Sequence, residues 1–260
     1  AYVQGFSRRY GEDMDAARTV GSLATGGGKL EMQATLSQLK GLAESLQTKG
    51  QLQQVIRKRM DALRRELARL QLQDQEAELA ELKQRRQREL KQLQEVTSLL
   101  PSLVHGYDYA KAIEVLEDMH FQVPEVQDAL DAKLYLYRQA RQFMQRLERD
   151  VAGETWKGVL TKEDGARLEG AVMALDPAET RVELERGTLR VPTSSLGAQS
   201  LVEMARHYCD QVTNSTDYYE RLEMMAVFAR VAGLPTLSAM IAAPLMEENR
   251  EFRMRWLKVL

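Results

Sequence analysis

Apolar residues recur at steps of three and four through the first half of the chain, which is the spacing of amphipathic helices. The pattern predicts a helix over about residues 29–48, ended by Lys49-Gly50. A longer helix is predicted over residues 52–100, where there is neither glycine nor proline and most residues are strong helix formers. At the rise of an α-helix this rod spans about 73 Å, more than one small core can cover. Pro101 is expected to end it.

The apolar residues of the long helix lie on two different faces. The first group has the spacing of a coiled-coil seam and consists of Ile56, Met60, Leu63, Leu67 and Leu70. The second group lies on nearly the opposite side, at about 100° per residue, and includes Leu72, Leu79, Leu82, Leu90 and Leu93. The seam therefore changes face near residues 71–78, and two partners are expected. The 29–48 helix would fold back on the first group as a hairpin, and the helix that begins at Pro124 is the candidate to cover the second.

The second half of the chain alternates between helical and strand patterns. Two helices are predicted over residues 108–119 and 124–151, and Pro124 suits the first position of a helix. After Gly153 the apolar period shortens to two, and four short strands are predicted over residues 156–162, 167–175, 180–186 and 188–191. Helices resume over residues 198–212, 217–232, 236–243 and 246–258. The 217–232 helix is apolar almost all round, which favours burial.

These elements predict a mainly α protein with a small β insertion. Its parts would be a long helical hairpin or coiled coil, short helices, a small barrel of four or five strands and a C-terminal helical bundle. The predicted boundaries are a flexible or partly helical segment over 1–28, the hairpin region with its following helices over 29–152, the barrel-like module over 153–196 and the bundle over 197–260.

Composition and charge exclude several classes of protein. Lys and Arg number 36 against 38 Asp and Glu, and this balance argues against a polybasic nucleic-acid coat. A single cysteine excludes a disulfide framework within the chain. No apolar run approaches the length of a membrane span, about 20 residues. No nucleic acid and no membrane span is therefore expected. The sequence leaves the compartment unknown, with a cytoplasmic location, or a membrane-peripheral one if a flanking segment carries an anchor, as the options.

Candidate catalytic groups are sparse, and no catalytic, cofactor-binding or metal-binding residue is assigned. The segment Gly26-Gly27-Gly28-Lys29 lacks the spacing of a phosphate loop and favours a flexible linker. His207 and Cys209 are two residues apart on a predicted helix and so face different directions. An alternative hypothesis remains an enzyme whose site lies between the β module and the C-terminal helices, with Trp156, His207 and Cys209. Asn214-Ser215-Thr216 is interpreted as a helix cap.

Arginine clusters along the long helix support a third hypothesis, binding of nucleic acid or a membrane surface. The clusters are Arg57-Lys58-Arg59, Arg64-Arg65 and Arg85-Arg86-Gln87-Arg88. Acidic residues such as Asp61, Glu66 and Glu89 are interspersed at helical spacing, which is typical of an exposed helix face. The rod also lacks aromatic residues on which bases stack.

Part of the β segment resembles a known module. The matching residues are Trp156, Gly165, Val182-Glu183-Leu184, Gly187, Val191-Pro192 and Ser195-Leu196. They resemble, over residues 156–196, the Src-homology-like barrel of endocytic adaptors, which implies binding of a peptide or protein partner. The order of the parts is similar to uncharacterised accessory regions of bacterial multidomain signalling proteins, which implies a segment of a larger bacterial protein.

The leading hypothesis is a non-catalytic protein–protein interaction or scaffold module without a cofactor. Long apolar strips on a helix usually mark a partner surface, so a protein partner or self-association through the long helix is expected. The residues assigned to helix packing or self-association are Ile56, Met60, Leu63, Leu67, Leu70, Leu79, Leu82, Leu90 and Leu93. A docking surface is expected at Trp156, Tyr218 and Tyr219.

Overall fold

The computed structural model describes residues 11, 14–23, 27–46, 50–104 and 107–259. The chain divides into two compact units, Ala1–Gln84 and Arg85–Leu260. The long helix contributes its first part to one unit and its last part to the other. Much of the predicted 1–28 segment lies outside the described residues, although residues 14–22 are helical. The predicted stop at Lys49 also lies outside them.

The first unit is a helical hairpin built on the first face of the long helix. Its helices are α1 (Lys29–Ser45) and the first part of α2 (Gln51–Leu103). Side chains of α1 and of the 14–22 segment pack on the first seam in one apolar cluster. Ile56, Met60 and Leu63 are buried, and Leu67 and Leu70 are half-buried at its edge. The helical hairpin is therefore present in the structure.

The long helix ends slightly later than predicted. It continues through Pro101 to Leu103. A proline in the last turn removes one backbone hydrogen bond but leaves the φ angle of a helix intact, so the helix persists for two more residues.

The second unit combines the end of α2 with two helices, a four-stranded sheet and a C-terminal group of helices. Pro124 is the first residue of its longest helix, and the Asn214 side chain accepts hydrogen bonds from the Thr216 and Asp217 amides, as the capping hypothesis predicted. In chain order the elements are α3 (Ala110–Glu117), α4 (Pro124–Gly153), β1 (Trp156–Thr161), β2 (Arg167–Leu175), β3 (Glu179–Leu184), β4 (Gly187–Pro192), a 3-10 turn (Thr193–Ser195), α5 (Ala198–Cys209), α6 (Ser215–Val231), α7 (Pro235–Glu248) and α8 (Arg250–Leu257).

The four strands form an open antiparallel sheet in the order β1-β2-β3-β4, not the closed barrel expected from the sequence. After β4 the chain returns to the end of β1, where Lys162 and Leu196 form one isolated bridge. The Gly197 amide then donates to the Thr161 carbonyl at 2.8 Å, and α5 begins at the next residue, which ends the pairing. The Ser200 hydroxyl accepts a hydrogen bond from the Thr161 amide at 2.8 Å, so a helix side chain completes the strand edge.

Helix α6 lies at the centre of the second unit. It packs against α4, α5 and α7, while α4 also packs on β2. Its residues from Met225 to Ala229 are all buried, as the nearly all-round apolar pattern predicted. They share one core with the inner face of the sheet, on which Val172 and Val182 are fully buried. Helices on one face of the sheet therefore take the place of barrel closure.

The predicted break between residues 243 and 246 is wrong. Helix α7 runs through Pro244 to Glu248, and Asn249 caps the start of α8 by accepting from the Phe252 amide. Pro244 leaves the carbonyl of Met240 without its helical donor, but both residues are exposed. Water can therefore satisfy that carbonyl, and the helix continues.

Candidate interaction surface

The middle of α2 has no packing partner among the described residues. Every residue from 71 to 88 is exposed. The stretch contains three leucines, Leu72, Leu79 and Leu82, which are 56%, 56% and 51% exposed. We refer to residues 71–88 as the bare stretch. Leucines spaced by seven and three on one helix face are typical of a coiled-coil seam rather than of isolated surface residues.

The seam of the bare stretch continues into a covered segment. Farther along the same face, Leu93 and Leu100 are buried against α3 and α4, and Leu90 is half-buried beside them. The prediction that the helix starting at Pro124 covers the second leucine group is therefore correct for Leu90 and Leu93. Leu79 and Leu82, which were assigned to helix packing, contact no such cover among the described residues.

Glu89 marks the border between the covered and the bare parts of the seam. Its side chain is buried, and its carboxylate accepts hydrogen bonds from the backbone amides of Gln122 at 3.3 Å and Val123 at 2.9 Å. Those amides precede the first turn of α4, where donors have no helical partner. The carboxylate thus caps α4 and fixes where its cover of α2 begins. Sequence reasoning missed this role, since Glu89 belongs to a run of charged residues.

The charges of the bare stretch are segregated along its length. Residues 74–81 contain four acids and no base, and residues 83–88 contain four bases and no acid. Asp74 pairs with Lys29, and Arg86 lies 3.6 Å from Glu125. No ion pair between described residues involves Glu76, Glu78, Lys83 or Arg85. Beside the leucines, two carboxylates in the acidic half and two cations in the basic half therefore have no ion-pair partner among the described residues.

The arginine clusters nearer the start of α2 are engaged locally. The Arg59 guanidinium donates to the carbonyls of Val20 and Leu23 in the 14–22 segment and its following residue. Arg65 Nε donates to the Asp61 carbonyl at 3.2 Å, and Arg64 Nη1 lies 3.5 Å from the Asp61 carboxylate. A continuous basic stripe for phosphate groups is therefore interrupted on this part of the helix, which does not favour the nucleic-acid hypothesis.

Of the docking surface predicted at Trp156, Tyr218 and Tyr219, the structure excludes Trp156, whose side chain is buried. Trp156 is only 7% exposed and belongs to the core under the sheet. Its ring lies over Gly158, where an added Cβ would come within 2.5 Å of ring atoms. Tyr218 and Tyr219 are half-buried and stack edge to face at 5.7 Å on α6. The tryptophan is a core residue, because a strand position on the inner face buries a large apolar side chain.

The residues of the enzyme hypothesis do not converge. His207 is exposed, and its Nε2 lies 3.1 Å from the Gln211 side-chain amide. Cys209 is 1% exposed, and its Sγ lies 3.9 Å from the Tyr218 carbonyl oxygen. Burial raises the pKa of the Cys209 thiol to about 11. An activated nucleophile needs a base within hydrogen-bond reach and a lowered pKa, and this thiol has neither feature.

We expect the Cys209 thiol to react slowly in the folded protein. At pH 8 its thiolate population should be about 100-fold smaller than that of an unhindered cysteine, because burial favours the neutral form. Reaction with DTNB should therefore be at least about 100-fold slower in buffer than in 8 M urea. The denatured chain serves as its own control. Rapid release of the coloured thiolate from folded protein would contradict this expectation and would support Cys209 as a nucleophile.

Four partly buried charged side chains in the second unit join two of its helices. Arg146 and Asp150 of α4 face Asp217 and Arg221 of α6, and we refer to these four residues as the α4–α6 network. Arg146 Nη2 lies 2.9 Å from both Asp217 oxygens, and Arg221 Nη2 lies 3.0 Å from Asp150 Oδ1. Two acids and two bases neutralise each other, so the network has a structural role.

Two surface depressions of the second unit differ in size and lining. A cleft of about 160 Å³ lies between α4 and the β2–β3 turn, and it is smaller than typical ligand sites. Tyr107 lines it, but its hydroxyl donates to the Leu196 carbonyl at 2.7 Å and burial raises its pKa to about 12. A shallow groove of about 990 Å³ crosses the sheet and is lined equally by acids and bases. Neither depression concentrates reactive groups.

No group of three or more metal-ligating side chains occurs within the described ranges. None of the helices in those ranges has the length and hydropathy needed to cross a bilayer. Comparison with protein-family models, with curated proteins and with solved structures gave no match for this chain.

Proposed function

We propose that this chain is a non-catalytic protein-interaction module that self-associates through the bare stretch of α2. The observation that carries the proposal is the seam at Leu72, Leu79 and Leu82, which is exposed although the same face is covered farther along. A helix face with regularly spaced leucines is stabilised when a second helix removes it from water. Pairing of the bare stretches would then join two copies of the chain, each with its own hairpin and second unit.

Self-association is favoured over a different protein partner because of the charge pattern. The bare stretch has an acidic half and a basic half of similar length. A second copy brings the same two halves, and a twofold axis repeats each favourable contact. A strongly basic or strongly acidic partner would match only one half.

Sedimentation equilibrium between about 5 and 200 μM tests the proposal. The double variant Leu79→Glu, Leu82→Glu should weaken self-association by at least about 100-fold. Each copy loses two buried leucines and gains two carboxylates in the seam. The wild-type chain should approach the mass of a dimer at the upper concentrations.

The matched control is Gln73→Glu, Ala77→Glu, which adds the same two charges to the bare stretch away from the leucine face. It should associate within about threefold of the wild type. A wild-type chain that stays monomeric at 200 μM would contradict the proposal, as would equal weakening by both double variants.

A further inference from the structure

The spacing of the bare stretch assigns each residue a position relative to the seam. Leu72 and Leu79 occupy a positions of a heptad, and Gln75 and Leu82 occupy d positions. The side chains that flank a coiled-coil seam occupy the e and g positions. In the bare stretch the charged e positions are Glu76 and Lys83, and the charged g positions are Glu78 and Arg85.

These flanking charges distinguish the two ways in which a second copy can lie on the helix. In an antiparallel pair e faces e and g faces g. Layers that join Leu79 to Leu82 of the second copy then bring Glu76 near Lys83 and Glu78 near Arg85. Symmetry repeats both contacts, so four opposite-charge pairs flank the two central leucine layers.

A parallel pair uses the same residues less well. There a g position faces the e position five residues later on the second copy, so only Glu78 finds a partner, Lys83. The acidic residues 74–81 of the two copies would lie side by side, as would the basic residues 83–88. Like charges at short range oppose association, and salt screens them only partly.

The position of the bare stretch supports the antiparallel arrangement independently. A pair centred between Leu79 and Leu82 joins residue 73 to residue 88 of the second copy. The exposed residues run from 71 to 88, so the second copy covers residues 73–88, and Leu72 lies at the edge of the pair. At its C-terminal end the seam then passes to Leu93 and Leu100, which each chain already covers.

We propose that two copies of this chain pair antiparallel through the bare stretch, with Leu79 of each copy packed on Leu82 of the other. The inference rests on the proposed function and adds to it the orientation and register of the pair. The contacts that define it are the two leucine layers and the Glu76–Lys83 and Glu78–Arg85 ion pairs between copies.

Spin labels on two equivalent positions test the orientation. The variants Ala80→Cys and Gln73→Cys place a label at successive b positions on one flank of the seam. In the antiparallel pair the two Ala80 positions lie almost level, whereas the two Gln73 positions are displaced along the axis by about 22 Å. Pulsed electron paramagnetic resonance should therefore give a longer distance between the two spin labels for the Gln73→Cys variant than for the Ala80→Cys variant. The parent chain is the control, because Cys209 is buried.

The outcomes separate this inference from the proposed function. Equal distances in the two labelled variants mean a parallel pair, which overturns the antiparallel inference and leaves self-association intact. Absence of dipolar coupling in both variants, with both still folded by circular dichroism, means that the chains do not pair and overturns both proposals. Only unequal distances in the stated order support the antiparallel pair.

A charge exchange provides the second test. Glu76→Lys should weaken self-association by about fivefold, because the new cation faces Lys83 of the second copy twice in the dimer. The double variant Glu76→Lys, Lys83→Glu should return to within about twofold of the wild type, since the pair is restored with its charges exchanged. In a parallel pair the double variant would be weaker than the single one, since the carboxylate introduced in place of Lys83 would then face Glu78, and this order would overturn the inference.

Discussion

Replacing Arg221 by methionine should lower the free energy of unfolding of the second unit by about 3 kcal/mol. Arg221 is 11% exposed and donates to both Asp150 and Asp217. Methionine retains much of its volume but leaves two carboxylates facing each other, with Arg146 as the remaining cation of the α4–α6 network. Removing one partner of a buried ion pair is costly mainly because the other charge loses its compensation.

Urea unfolding followed by tryptophan fluorescence is the suitable measurement. Trp156 and Trp256 are the only tryptophans of the chain, and both are buried in the second unit, so the signal reports that unit alone. A lower midpoint at an unchanged slope would show lost stability without a change in the surface exposed on unfolding.

An exposed ion pair on α4 supplies the matched control. Arg138 of α4 lies 2.7 Å from Glu117, but the two side chains are 52% and 46% exposed. Arg138→Met should therefore change the free energy of unfolding by no more than about 0.5 kcal/mol. If Arg221→Met and Arg138→Met behave alike, burial is not what gives the α4–α6 network its effect.

The α4–α6 network also illustrates what the sequence did not reveal. Arg146 and Asp150 are four residues apart, as are Asp217 and Arg221, and each pair alone is typical of an exposed helix face. The structure joins the two pairs across helices, between residues that are 71 positions apart along the chain. Local spacing contains no information on which helices become neighbours, so the network was not predictable.

Helices and strands were predictable where periodicity is strong. The change of face in α2 was visible in the sequence, because Leu70 and Leu72 lie on nearly opposite sides at helical spacing. The hairpin on the first face followed from the same pattern, and the start of α4 followed from the preference of proline for the first helical position. When the apolar face of a long helix changes, a different element must cover each face. This constraint made the hairpin predictable.

Tertiary context decided the cases in which prediction was wrong. Four strands with alternating residues are compatible with a closed barrel or an open sheet, and the choice depends on what covers the apolar face. Here α4 and α5 cover it, so the sheet remains open. The same cover buries Trp156, which had been assigned to a docking surface. Exposure of one aromatic residue cannot be inferred from its type alone.

The bare stretch was only partly predictable. The second leucine group of α2 was expected to pack on other helices, and the structure covers Leu90 and Leu93 but not Leu79 and Leu82. The limit of the cover depends on Glu89, whose carboxylate binds the amides that precede α4. That contact joins residues more than 30 positions apart, and the sequence pattern of Glu89 is that of a surface residue.

Replacing Phe228 by alanine should have the largest effect on stability, a loss of about 4 kcal/mol. Phe228 is fully buried in α6 and stacks on Phe143 of α4 at 4.1 Å between ring centroids. Its ring also lies 5.6 Å from that of Tyr107, which precedes α3. Alanine would remove the apolar contacts of the ring and leave a cavity where three segments meet. The neighbouring side chains can relax into that cavity only in part, because the core is close-packed.

Two further variants test whether the lost free energy of unfolding comes from packing in the core rather than from the removal of an apolar side chain as such. Phe228→Leu keeps most of the apolar volume and should cost about 1–2 kcal/mol. Met254→Ala removes an apolar side chain that is 59% exposed and should change stability by less than about 0.5 kcal/mol. Tryptophan fluorescence in urea again reports the second unit. A Phe228→Ala chain that loses less than about 1 kcal/mol would mean that α6 is not the central helix of this core, since a cavity of that size in a close-packed core costs more.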